Sequence, residues 1–406
     1  MASSTTVEIG VFLTTADAPY FRLNDPVKGK LNNTLYRLAG PIFYDITDRV
    51  TAVSVTRGKN RQLERYNAGN ASIQLNNQDR IFDPLNEDSI FFGNIIPRRQ
   101  IRVRTGGYNQ FVGLVEDWNF DYDVSGQSTA SITAADGFSL LAQQSLTAGT
   151  GTPQSTGDRI EAVLSQPSVA WPLNARNIDE GLATVGADVY DSSDNALTYL
   201  QKVEASEQGQ LFIDRDGNVR FVNGGVTPTT GQTVAKFSDA GDGIPYSGAT
   251  VSYGTELLFN NVEVTYPGGT ATANNFDSQE LYGITTTSVD TLLATGLAAE
   301  NLALFWVSKY GDPEYRFESV DVVLEGLTDT QKIEILQFEL GDIVEMEFTP
   351  NGIGAPIERY GQIIGIKHTV SADRHVITFG LGSLQYSFLV LDDTGFGILD
   401  QNALAF

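Results

Sequence analysis

"FVGLVEDWNFDYD" (111–123) and "YGQIIGIKHTV" (360–370) decide how this chain is read, because one echoes the other: Gly113 aligns with Gly361, Val115 with Ile363 and Trp118 with Ile366. Their neighbours match in the same order. "RQIRVRT" (99–105) precedes the first stretch and "GDIVEMEF" (341–348) the second; "SITAADGFSL" (131–140) follows the first and "HVITFGLGSL" (375–384) the second, with Ile132-Thr133 opposite Ile377-Thr378 and Gly137 opposite Gly382. In "RQIRVRT", Ile101 and Val103 fall on one face and Arg102 and Arg104 on the other, the period-two pattern of a half-buried strand. Three elements repeated in order indicate an internal duplication. The drift in spacing is what unequal loops such as "TPNGIGAPIERY" (349–360) would produce. The expected fold is α+β and β-rich: two related small β-barrels with α+β domains inserted between them.

Working outward, residues 1–40 carry Pro19, Pro26, Gly29 and Gly40 and read as an extended arm that needs a surface to lie on. Residues 41–145 read as the first barrel, with further strands in "ITDRVTAVSVTRG" (46–58) and "NASIQLNN" (70–77) bounded by Gly, Asn and Asp. An α+β insert spans 146–235. It opens with the linker-like "TAGTGTPQSTG" (147–157) and contains two helices, "DRIEAVLSQ" (158–166) and "NALTYLQKVEASEQG" (195–209). In the second helix Leu197, Leu200 and Val203 recur at helical spacing, with Asp194 expected to cap the start and Gly209 the end. A strand-plus-helix region, with the start of the second barrel, spans 236–335. Its helix, "DTLLATGLAAENLALFWVSKY" (290–310), stops at Gly311 and Pro313 and should bury Leu293, Leu297, Leu304 and Val307, with Trp306 in the core. The second barrel is placed at 336–385. An apolar, partly acidic C-terminal arm follows at 386–406 and is expected to pack on a neighbouring protein.

The 406 residues carry a formal charge of -24, which argues against binding nucleic acid by neutralising phosphates. The charge is unevenly placed. Residues 1–110 hold 14 Lys+Arg against 10 Asp+Glu, whereas the remaining 296 hold 12 against 40. Complementary faces of copies or neighbours would produce this asymmetry, and so would selection for solubility. With no cysteine, disulfides, thiolate metal sites and cysteine nucleophiles are excluded. The opening "MASSTTVEIGVFLTT" lacks the pattern of a signal peptide and no run has the length of a membrane span, so a soluble protein made in a cytoplasm is expected.

Four features invite chemistry. "DRDGN" (214–218) places Asp214, Asp216 and Asn218 at alternate positions, as a calcium loop does, but its glycine is fourth and Gly225 occupies position twelve. Asp-Gly between "QLFI" and "VRFV" is instead a hairpin turn. His368 and His375 flank "TVSADR" (369–374) and read as surface residues on the two arms of one hairpin, with no third metal ligand marked. Glu116, Asp117, Asp121 and Asp123 surround aromatics, yet Asp117, Asp121 and Asp123 share a strand face, the pattern of a solvated surface rather than a glycosidase pair. The basic residues Arg57, Lys59, Arg61, Arg65, Arg98, Arg99, Arg102 and Arg104 form the most localised charge feature. They are read as an interface for an acidic protein neighbour. No catalytic residue, metal site or cofactor site is assigned, and no phosphate-binding glycine motif is present.

The run "YDITDRVTAVSVTRGKNRQLERYNAGNASIQLNNQDRIFDPLN" (44–86), with "IIPRRQIRVRT" (95–105) and "FVGLVEDWNFDYD", resembles the first domain of tail-tip hub proteins, the minor tail proteins of long-tailed phages, which are similar to the baseplate hub of contractile phages. "ALTYLQKVEASEQGQLFIDRDGNVRFVN", "NNVEVTY" and "GDIVEMEF" extend the resemblance over about residues 40–385. It implies two related barrels per chain and a homotrimer whose six barrels form a pseudo-sixfold ring. The implied role is structural and non-enzymatic: a hub in the virion that adapts a sixfold tail tube to a threefold tip and forms part of the channel for genomic DNA. The implied partners are copies of itself, the tail-tube or distal tail protein, tip or fibre proteins and the tape-measure protein, with no sequence-specific nucleic acid contact. No lysozyme or peptidase segment is recognisable. Two alternatives stand beside this reading. One is the hexameric distal tail protein, against which the second barrel argues. The other is a glycan-binding or glycan-degrading β protein, for which only Trp118, Trp171 and Trp306 offer support.

Overall fold

The computed structural model describes residues 4–11, 42–224 and 235–383, with Pro26 and Lys30. The C-terminal arm and most of the N-terminal arm lie outside the described residues. The chain divides into two compact units: Met1–Val55, Asn70–Asp136 and Thr369–His375 form the first, and Thr56–Gly69, Gly137–His368 and Val376–Phe406 the second.

The first unit is built on β1 (Thr5–Val11), β2 (Ile42–Asp45), β3 (Val50–Gly58), β4 (Asn67–Asn76), β5 (Gln100–Thr105), β6 (Tyr108–Asp121) and β7 (Thr129–Ala135), the ends of β3 and β4 reaching into the second. They are ordered β3-β4-β7-β6-β5-β1-β2. Alternation does the work foreseen for it. Val7, Ile9, Val53, Val55, Ile73, Leu75, Ile101, Val103, Val115 and Ile132 point into one cluster, so the sheet must curl around its own apolar face. Residues 77–99 close that cluster. Their backbone advances in three-residue turns, with the N–H of Arg80, Asp83, Asn86, Ser89 and Phe92 each bonded to the carbonyl three residues earlier. This spiral inserts Phe82, Phe91 and Ile95 and leaves Leu85, Ile90, Phe92 and Ile96 exposed.

The expected arm is corrected at its start. Residues 5–11 form an interior strand, antiparallel to β5 on one side and β2 on the other, with Val7 opposite Val103 and Ile9 opposite Ile101.

In the second unit, α1 (Gly137–Leu141), β8 (Gly149–Gly151), β9 (Gln154–Ser155), α2 (Thr156–Leu164), β10 (Arg176–Ile178), β11 (Thr184–Val185), β12 (Asp188–Tyr190), α3 (Ala196–Ala205), β13 (Gln210–Ile213) and β14 (Val219–Val222) make a mixed α+β region. Both expected helices form, but α3 is capped by Asn195, whose side chain accepts the Thr198 N–H at 3.1 Å. Asp194 instead accepts the Asp191 N–H at 2.8 Å, and the helix ends at Ser206 rather than Gly209. The rest of the unit follows as β15 (Ala235–Ser238), β16 (Gly248–Tyr253), β17 (Asn261–Tyr266), β18 (Gly269–Asn274), α4 (Phe276–Tyr282), β19 (Thr286–Asp290), α5 (Gly296–Tyr310), β20 (Tyr315–Val323), α6 (Asp329–Gln337), β21 (Ile343–Phe348), β22 (Ile357–Val370) and β23 (His375–Ser383). The helix α5 lies on the three-stranded sheet β18-β17-β19. It buries Ala299, Leu302, Ala303, Trp306, Val307 and Tyr310, while Leu297 and Leu304 are exposed. The expected stripe is thus right for Leu293 and Val307, which are buried, and wrong for the other two: two alanines let the helix approach the sheet, and the aromatic rings fill the remaining depth.

The duplication is visible as a shared strand path. The second unit orders its large sheet β16-β20-β23-β22-β21-β15, which matches β3-β4-β7-β6-β5-β1 position for position, and β6 and β22 are each 14 residues long. The last strand differs: β1 runs antiparallel to β5, whereas β15 runs parallel to β21. Neither path closes, which corrects the expectation of barrels. Among the described strands β2 pairs only with β1, β16 only with β20 and β15 only with β21, so no closed barrel forms.

Candidate functional site

The eight basic residues fall in different units, 57–65 in the second and 98–104 in the first. Arg57 is 2% exposed, and its Nη1 donates to Glu339 Oε1 at 2.6 Å. The other oxygen of Glu339 accepts the Arg215 N–H at 2.9 Å. Arg57 therefore holds its own unit together and is not the surface cation the sequence led us to expect. Gly58 makes that approach possible, since at φ +97 a Cβ would stand 2.3 Å from the Ile364 carbonyl oxygen. The half-buried Lys59 places its ammonium 4.6 Å from the centroid of the Tyr66 ring, and burial lowers its pKa against the opposing pull of Glu204 and Glu64. Arg61 pairs with Glu256 at 2.7 Å on the surface, and Arg65 is exposed. In the first unit Arg98 reaches Glu116 at 3.1 Å, and Arg102 pairs with Glu8 across β5 and β1 while its guanidinium lies 3.8 Å from the centroid of Phe43. Arg104 donates to the Gly107 carbonyl at 2.8 Å, and Arg99 is half-buried. Most of these cations meet an internal acceptor or carboxylate, so they do not make one bare basic face.

Beside Lys59 the second unit has a cleft of about 220 Å³. Lys59, Arg65, Glu204, Gln208, Phe259 and Trp306 are among the residues that line it. Glu204 comes from α3, where it falls four residues after buried Leu200 and so is carried onto the covered face. One of its oxygens accepts the Leu211 N–H at 3.0 Å. Burial pushes its carboxyl up to about 7 against the lowering effect of Lys59 and Arg65. Trp306 comes from α5, is 8% exposed, and its indole N–H has no partner among the described residues. The sequence reading missed Glu204, although a glutamate in step with Leu200 on an apolar stripe marks a buried charge.

The remaining candidates settle locally. The hairpin at 214–218 forms between β13 and β14, with Gly217 at φ +87. The Asp214 carboxylate is turned onto its own loop, accepting from the Asp216 and Asn218 N–H groups and from Asn218 Nδ2. Asp117, Asp121 and Asp123 are exposed, while Trp118 stacks between Phe82 and Phe120. The histidines are not at the surface: His368 is 2% and His375 0% exposed. Period two explains this, because His368 alternates into the covered face with Ile366 and Val370, and His375 with Ile377 and Phe379.

By sequence, no family model and no curated protein matches the chain. By structure, it is similar over 94% of its length to 97% of a tail protein from Neisseria meningitidis MC58, with a TM-score of 0.60 at 11% identity. The chain has the fold of a phage tail protein. The same coverage relates it to the 43 kDa tail protein of prophage MuSo2 from Shewanella oneidensis, with a TM-score of 0.56 at 14% identity. A chain of the Francisella PdpA–VgrG complex is similar at a TM-score of 0.50 and 10% identity, and this protein spans 52% of it. The tail-protein fold agrees with the β-rich α+β class read from the sequence. None of the described helices is long and apolar enough to cross a membrane.

Proposed function

We propose that this protein is a structural, non-enzymatic component of a phage virion: a homotrimeric hub at the distal end of the tail that adapts the sixfold tail tube to the threefold tip. The observation that carries this reading is the strand path used twice in one chain of tail-protein fold. Three copies would present six equivalent sheets toward the tube, whereas the unduplicated parts, such as the α5 region, occur only three times. The spiral at 77–99, with Leu85, Ile90, Phe92 and Ile96 exposed, supplies apolar contact area for a neighbouring copy or for the tube or distal tail protein. Tip or fibre proteins and the tape-measure protein are the remaining neighbours in this reading. The acidic majority of the chain favours a channel wall that genomic DNA passes without adhering.

Multi-angle light scattering on the 44.0 kDa chain, alone and with its tail-tube neighbour, tests the assembly. A trimer, formed alone or on the tube, is expected. A stable hexamer would transfer the protein to the distal-tail class, and a strict monomer that ignores tail components but retains an oligosaccharide would overturn the structural reading. Lumen-facing side chains that are mainly Arg and Lys in the assembled particle would exclude the channel role.

A further inference from the structure

We propose that a second cleft of the second unit, about 590 Å³ in volume and set between β12, α3 and the C-terminal ends of β17 and β19, binds a neutral oligosaccharide. Its volume lies in the range of small-molecule sites. Tyr190, Tyr199 and Tyr266 line it, and each ring is held in place. The Tyr199 hydroxyl donates to Asp188 at 2.8 Å and accepts from Arg159 at 2.7 Å, and the Tyr190 ring meets the Tyr199 ring edge-on with centroids 5.3 Å apart. Tyr190 lies against Gly149 and Tyr266 against Gly268 and Gly296: a Cβ at those glycines would stand 3.1, 2.5 and 2.8 Å from the nearest tyrosine atom. Rings held in this way lose little freedom when a ligand arrives. The C–H face of a sugar, weakly positive, suits the negative face of such a ring.

The polar groups fit an uncharged ligand. Of the carboxylates in the lining, Asp188 is neutralised by Arg159 and Asp290 by Lys202 at 2.9 Å, which leaves only Asp194 without a cation among the described residues. The Lys202 and Asp290 side chains are 33% and 57% exposed. They present a donor and an acceptor side by side, and two adjacent sugar hydroxyls answer both, one accepting from the ammonium and the other donating to the carboxylate. The hydroxyls of Tyr190 and Tyr266 have no partner among the described residues and are not sealed from water, so each can bond a further sugar oxygen. Balanced donors and acceptors beside aromatic rings are what a polyol requires; an anion would meet Asp194 and Asp290, and a cation would meet Lys202. This site does not depend on the structural role: a trimeric hub that binds sugar satisfies both readings.

Isothermal titration calorimetry and saturation-transfer NMR on the full chain test this with maltotriose, cellotriose and chitotriose, with spermine as the charged control. At least one trisaccharide should bind saturably with a dissociation constant of about 1 mM or below. Salt should change that constant little, because the ligand carries no charge. Tyr190→Ala and Lys202→Met should each weaken binding about tenfold, and Tyr266→Phe, which loses only a hydroxyl, about threefold. Should Tyr190→Ala loosen the packing on Tyr199, seen by circular dichroism, Lys202→Met carries the test alone. Saturable binding of spermine but of no trisaccharide would show that the carboxylates govern the cleft, and it overturns the proposal. So does the absence of binding by any probe, or sugar binding indifferent to Lys202→Met.

Discussion

The two units share a sheet path but differ in the charge they bury. Around β3 to β7 the first unit is closed by hydrocarbon and aromatic rings, and Asp83 and Asp136 are its only fully buried Asp, Glu, Lys or Arg among the described residues. The second unit buries Arg57, Arg159, Glu204, Glu207, Arg316 and Glu347. Arg159 is the extreme case: its guanidinium reaches Asp188 at 2.5 Å, the Tyr199 hydroxyl at 2.7 Å and the carbonyls of Thr152 and Gly186 at 2.6 and 3.0 Å. Around Arg159 the difference follows from element length. Strands of six to fourteen residues bury a continuous apolar face, whereas strands of two or three residues such as β8, β9 and β12 cannot, and one arginine gathers their loose backbone acceptors instead.

This contrast can be broken at several points. Arg159→Ala leaves Asp188 with no cation and only the Tyr199 hydroxyl, frees two carbonyls, and should cost about 3–5 kcal/mol, with hydrogen-exchange protection lost in residues 137–224 and kept in the first unit. Phe111→Ala, at a residue 0% exposed, should cost about 3–4 kcal/mol with the reverse exchange pattern. Equal loss in both units for either variant would show that the two do not differ in the way described.

Glu204 sharpens the comparison through pH. Its folded pKa, about 7, stands above the ordinary 4.5, so between these values the folded state holds a proton that the unfolded chain has released. Its contribution is complete below pH 4.5 and falls as pH rises toward 7, by about 3 kcal/mol in all. Glu204→Gln should flatten that slope in denaturant titrations at pH 5 and 7.5. The smallest effect belongs to α6, which has no counterpart in the first sheet. Its capping box joins Thr328 and Gln331, and Thr328→Ala should lower stability by about 1 kcal/mol.

Much of this was legible in the sequence where local chemistry decides the outcome. The Asp216-Gly217 turn, the alternation in "RQIRVRT" and the order of the repeated elements needed only nearest neighbours. What was missed depends on distant ones. Nothing in "TTVEIGV" announces that it will lie between strands beginning at Gln100 and Ile42. The buried face of α5 was misread because Ala299 and Ala303 matter through what their small size admits. His368 and His375 were read from their polarity, although strand parity had already placed them inside. The cleft escaped notice because Lys59, Glu204 and Trp306 meet only after three segments have packed.

The position of β1 bears on how the chain is made. Its main partner, β5, is about 95 residues downstream, some 5–20 s later at ordinary rates of synthesis. Until then only the four-residue β2, about 35 residues downstream, is there to pair with β1, on its other side. The duplicate repeats the delay, since β15 must wait for β21. Each half of the molecule therefore emerges from the ribosome with its last-placed strand first, a high-contact-order arrangement in which premature pairing between nascent copies is the hazard to be avoided.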